Sequence, residues 1–143
     1  IDDFGLALAD QDPSDDPDND GHTNLAEFAF AGNPTSATDN GQRQLRTTDA
    51  NSDSLPDLTL TLEVRTGTTF AADGPDLVSL PIDGISYRME GSTDLANFTS
   101  PVTEVIPHLG TGSPKPGYVF KTFRLNAANG LPNNGFLRAS ASP

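Results

Sequence analysis

The chain has 143 residues, a formal net charge of −12, 34% hydrophobic residues, 13 glycines, 12 prolines and no cysteine. A chain this long can bury a real core, and its Gly and Pro content points to short strands joined by turns rather than to long helices. A disulfide framework is excluded, no apolar run reaches membrane-spanning length, no signal peptide is read, and no basic patch with interleaved aromatics suggests nucleic acid.

The charge is uneven. Residues 1–40 hold ten acidic side chains and neither Lys nor Arg, whereas the remaining 103 residues hold ten acidic and eight basic. Ile1 to Asp10 reads either as one or two helical turns, weakened by Gly5, or as an extended lead-in that docks Phe4 and Leu8. Asp12-Pro13-Ser14 breaks that segment. The next stretch, Asp16 to Glu27, has the spacing of a calcium loop. Asp16, Asp18 and Asp20 occupy loop positions 1, 3 and 5, and Gly21 stands at position 6, where the chain must turn. His22 at position 7 offers its backbone carbonyl, Asn24 at position 9 ligates directly or through water, and Glu27 at position 12 closes the site with both carboxylate oxygens. A hard cation such as calcium takes six to eight oxygens, and this spacing wraps them around one point.

Asn24 to Ala31 is predicted to be a short helix with Leu25, Phe28 and Ala29 on one face, Gly32 as its left-handed cap and Pro34 as a stop. Residues 33–57 are polar and turn-rich. Within them Asp49, Asn51, Asp53 and Asp57 repeat the alternation of oxygen side chains, but Ser54 replaces the glycine and no closing glutamate follows. That stretch reads either as a polar linker or as a second, weaker calcium site.

From residue 58 the period becomes two. Leu58, Leu60, Leu62 and Val64 alternate with Thr59, Thr61, Glu63 and Arg65, which predicts a half-buried strand. A short strand over 77–82, at an edge because of Pro81, leads to a tight turn at Asp83-Gly84. Strands follow over 85–90, where Ile85, Tyr87 and Met89 alternate with Ser86, Arg88 and Glu90, and over 98–106, the latter interrupted by Pro101. Tyr118 to Leu125 is a strong strand with Phe120 on one face and Val119, Phe123 and Leu125 toward the other, and Phe136 to Ser140 closes the fold. The fold class is therefore mainly β: a calcium loop and one short helix over 1–40, a polar linker over 41–57, and an antiparallel β-sandwich over 58–143.

The run Asp-Pro-Asp-Asn-Asp-Gly-His-Thr-Asn-Leu-Ala-Glu-Phe-Ala-Phe-Ala-Gly-Asn-Pro, residues 16–34, resembles a segment common near the C-termini of large exported bacterial proteins, familiar from Verrucomicrobia and Planctomycetes. It is similar to the calcium repeats of thrombospondin type 3 and of dockerins, in a single copy. The stretch from Ile85 to Leu95 looks like that family's Y-x-V-E-x-S-x-D-L strand and turn, and Gly135 to Ala139 looks like its terminal FLR strand. The resemblance implies Asp16, Asp18, Asp20, His22 through its carbonyl, Asn24 and Glu27 as calcium ligands, with Asn19 in place of the usual glycine. It also implies a secreted or cell-surface location and an upstream domain of the same polypeptide as partner.

Catalysis is not expected. There is no cysteine nucleophile, no Gly-x-Ser-x-Gly elbow and no phosphate-cradling glycine loop, and His22 and His108 both fall in loops, without the close spacing of a zinc site. Two classes remain: a calcium-stabilised accessory module attached to a polymer-degrading enzyme, and a carbohydrate-binding module for an extracellular, anionic polysaccharide. For the second, Arg88, Lys121, Arg124 and Arg138 lie on predicted strands where they could share a face. For the first, Ala at Asp16, Asp20 or Glu27 is expected to lower the melting temperature in calcium and to do little in chelator.

Overall fold

A computed structural model describes residues 8–50, 52, 54–109, 112–125 and 135–143. Within these the chain runs through a short 3-10 turn at Leu8–Asp10, helix α1 (Asn24–Phe30), and eight strands: β1 (Arg43–Thr48), β2 (Asp57–Arg65), β3 (Phe70–Asp73), β4 (Asp76–Ser79), β5 (Ser86–Ser92), β6 (Val102–Val105), β7 (Tyr118–Leu125) and β8 (Phe136–Ser142). They form two antiparallel four-stranded sheets, ordered β1-β2-β7-β6 and β3-β4-β5-β8.

The alternating leucines of β2 face the second sheet. Leu60, Leu62 and Val64 cluster with Phe123 and Val102 from their own sheet, Tyr87 and Met89 from the other, Ile85 just before β5, and Ala29 and Phe30 from α1. The rings of Phe30 and Tyr87 lie 5.4 Å apart, and those of Phe70 and Phe123 lie 4.9 Å apart, both edge-to-face. Such pairs add roughly 1 kcal/mol each beyond their burial.

The threonine side of β2, expected to face solvent, is buried as well: Thr59, Thr61 and Glu63 are all at or below 2% exposure. The loop before β7 covers it. Thr61 and Thr122 share a hydroxyl–hydroxyl bond at 2.7 Å, and the Leu109 N–H donates to Thr122 Oγ1 at 2.8 Å. Glu63 accepts from the Gln42 N–H, from Gln42 Nε2 and from the Lys115 N–H. A buried carboxylate with three donors is a stable anchor, because little of its hydration is left uncompensated.

Several boundaries differ from the sequence reading. The segment read as linker contributes β1, which pairs with β2 from Arg43↔Leu62 to Thr48↔Asp57. The strand read over 77–82 is β4, an interior strand that ends at Ser79 before Leu80-Pro81, and the edge is taken by β3. The strand read over 98–106 shortens to Val102–Val105, after Pro101. The Asp83-Gly84 turn forms as expected: both residues have positive φ, 51° and 82°, and Ile82 and Ile85 exchange their main-chain bonds across it.

Candidate metal centre

The loop is built by its own carboxylates. Asp16 accepts from the main-chain N–H groups of Asp20 and Gly21 at 3.2 and 3.0 Å, Asp18 from Asp20 at 3.3 Å, and Asp20 from His22 at 2.8 Å. Gathered on these amides, Asp16, Asp18 and Asp20 each place an oxygen within 4.8 Å of the other two. Asn19 has φ 60° and Gly21 φ 93°. Asparagine tolerates the left-handed region, which gives a reason why it can replace a glycine at position 19.

Helix α1 follows at once. Thr23 caps it, its hydroxyl accepting from the Ala26 N–H. Glu27 therefore rides on the first turn and is 2% exposed. Neither of its carboxylate oxygens has a hydrogen-bond partner, and the same holds for Asp18 Oδ2, Asp20 Oδ2 and Asn24 Oδ1, all buried. Burial, and then the charges of Asp18, Asp20, Asp16 and Asp39, push the Glu27 carboxyl up to about 7. Asp18 is raised too, by burial first and then by Asp20. Buried polar oxygens normally find partners. Here several lack one: they are oxygens alone, the donor chemistry of a hard divalent cation, with Asp16, Asp18 and Asp20 mutually within 4.8 Å and Glu27 outside that group.

The helix ends in the left-handed region at Ala31, φ 63°, not at Gly32 as the sequence suggested. Gly32 serves close approach: a Cβ there would stand 3.0 Å from Glu27 Cγ and 3.2 Å from the Asp39 carbonyl oxygen. The terminal carbonyls of α1 are taken up by the sandwich. The Tyr118 hydroxyl donates to Phe28 O, the Tyr87 hydroxyl to Ala29 O, and Lys115 Nζ to Ala31 O. Lys115 Nζ also donates to both Asp39 carboxylate oxygens, at 2.8 and 2.9 Å. The Arg65 guanidinium lies 4.8 Å from the ring centroids of both Phe28 and Tyr118. Sequence reasoning assigned no such role to Tyr87, Tyr118 or Lys115. Nothing local marks a hydroxyl or ammonium that reaches a carbonyl dozens of residues away.

The other candidates stand differently. Of the second acidic stretch, Asn51 and Asp53 lie outside the described residues. Asp49 accepts from the Ser54 N–H, and Asp57, 1% exposed, accepts from the Ala50 N–H and stands 3.7 Å from Arg124. Among the described residues the one acidic group close enough to share an ion is Asp16, Asp18 and Asp20. The four strand cations do not share one face. Arg88 and Arg138 project from the second sheet, where Arg88 binds Asp76 and Asp73 at 2.5 and 2.7 Å and Arg138 binds Glu90 at 3.0 Å. Lys121 and Arg124 sit on opposite sides of β7, three residues apart, near Glu104 and Asp57. A groove of about 440 Å³ opens beside Leu45, Leu58, Leu95, Phe98 and Phe136, with an apolar lining.

Compared with family models, curated proteins and solved structures, the chain finds no match.

Proposed function

We propose that this chain is a calcium-stabilised, non-catalytic accessory module of a larger secreted protein, joining an upstream domain to a β-sandwich. The observation that carries the reading is Glu27: a carboxylate buried on both oxygens without a partner, held on the helix that follows the Asp16, Asp18 and Asp20 loop. Asp16, Asp18, Asp20, Asn24 and Glu27 supply side-chain oxygens for the ion, with the His22 carbonyl as the loop's remaining ligand. Bound calcium would supply a positive partner for the oxygens of Asp18, Asp20, Asn24 and Glu27 that accept no hydrogen bond. Because α1 is tied to β5, β7 and Lys115 through its terminal carbonyls, fixing Glu27 would fix the helix on the sandwich.

Isothermal titration with calcium tests the reading. One ion per chain is expected, with binding abolished or strongly weakened in Glu27→Ala, and absence of binding in the unaltered chain would refute it. Anionic-glycan binding has less support, since Arg88, Lys121, Arg124 and Arg138 are each engaged with a carboxylate. Affinity electrophoresis through anionic polysaccharides is expected to give no retardation. Retardation lost in Arg88→Ala or Arg138→Ala would establish the glycan reading instead.

A further inference from the structure

Asn24 stands where the loop becomes the helix, and its carboxamide faces two ways. The residue is 1% exposed. Nδ2 donates to the main-chain carbonyls of Asp10 at 2.8 Å and Asp12 at 2.9 Å. Both partners only accept, so the amide orientation is fixed: reversed, Oδ1 would meet two carbonyl oxygens. Oδ1 is left buried and without a hydrogen-bond partner. The same upstream stretch is held by the helix start, where the Asn24 N–H donates to Asp15 O at 2.8 Å and the Leu25 N–H to Pro13 O at 2.9 Å. Residues 10–15 thus form a collar around the beginning of α1. They take up donors that a helix terminus leaves unpaired.

We propose that Asn24 couples the cation to the chain that enters the module: Oδ1 is a ligand of the ion, and Nδ2 carries that fixation to the carbonyls of Asp10 and Asp12. The proposal rests on the calcium reading of the loop. An ion on Oδ1 draws electron density from the carboxamide and strengthens its N–H donors, as polarised hydrogen-bond chains do. It also holds the side chain in the one rotamer that reaches both carbonyls. Asn24 is in this sense a positioning residue for the collar, distinct from its service to the ion.

Amide hydrogen exchange on the 143-residue chain, in calcium and in EDTA, reads the coupling at Asp12, Asp15, Asn24 and Leu25, whose N–H groups bond within the collar. Calcium is expected to slow exchange there about tenfold, more than at Thr61 or Thr122 in the sandwich. Asn24→Asp keeps an oxygen for the ion and removes the donor. At calcium concentrations that saturate the variant, whatever its affinity by calorimetry, its collar amides are expected to exchange as fast as in EDTA. Full calcium-induced protection of the collar in Asn24→Asp overturns the proposal. If that variant does not fold, the unaltered chain decides alone: calcium binding with no change in collar exchange refutes the coupling, and no calcium binding refutes the reading beneath it.

Discussion

Glu27→Gln is expected to act in opposite directions with and without calcium. In the metal-free protein the ionised carboxylate is buried beside three aspartates, and its pKa stands at about 7 against an ordinary 4.5. That difference corresponds to about 3 kcal/mol of destabilisation once the group is ionised. Glutamine removes the charge but leaves an unpartnered amide, which costs about 1 kcal/mol. The net gain in EDTA at pH 8 is about 2 kcal/mol, or a melting temperature higher by roughly 6 °C. The sign with pH follows from the raised value: between 4.5 and about 7 the folded state binds more protons than the unfolded one, so metal-free stability falls as pH rises through that window. By pH 5 the folded carboxyl is neutral and the gap between variant and parent closes. In calcium the order is expected to reverse, because on the calcium reading the variant loses an anionic ligand. Thermal melts of both proteins at pH 5 and pH 8, in calcium and in EDTA, give the four comparisons. A variant less stable than its parent in EDTA at pH 8, or a gap that does not change with pH, would refute the electrostatic account of Glu27. Little effect in chelator was the expectation from sequence. The burial of Glu27 is what changes it.

Other outcomes follow from the same packing. Calcium at about a hundredfold over its dissociation constant is expected to add about 2.7 kcal/mol, read as a melting temperature higher by roughly 8 °C than in EDTA. Tyr87→Phe strands the Ala29 carbonyl and the Arg65 N–H, at a cost of about 2–4 kcal/mol by urea denaturation. Gly41→Ala, at φ 78° and with a Cβ 1.9 Å from the Phe30 carbonyl oxygen, is expected to lose about 3 kcal/mol or more in the same assay.

The local features were legible in the sequence and the distant ones were not. The helix at Asn24–Phe30 and the alternation in β2 and β7 are written within a few residues of one another and stand where the pattern put them, and the acidic spacing brings Asp16, Asp18 and Asp20 within 4.8 Å of one another. Strand β1, Arg-Gln-Leu-Arg-Thr-Thr, has one apolar residue, and Leu45 is 64% exposed, so an edge strand of this kind leaves no burial pattern to read. The covered threonine face of β2 depends on Glu63 meeting Lys115, 52 residues on. The alternation of β2 is the same whether that face is wet or dry. Ala31 in place of Gly32 at the left-handed position reflects a competition that spacing cannot resolve, since Gly32 is needed where Asp39 passes Glu27.

The three bonds that seat the helix span 58, 90 and 84 residues of sequence. Two of them are made by Tyr87 of β5 and Tyr118 of β7, and the third by Lys115 ahead of β7. Their loop-closure cost is high, so helix docking is expected to follow the meeting of the sheets, a folding order that φ-values at Tyr87 and Tyr118 would test. An ion bound through Glu27 stabilises contacts that the transition state lacks. Its effect belongs to the unfolding rate: calcium should slow unfolding by nearly the whole of its equilibrium contribution and leave refolding almost unchanged. On the calcium reading, the metal would act on how long the folded module lasts and hardly at all on how quickly it forms.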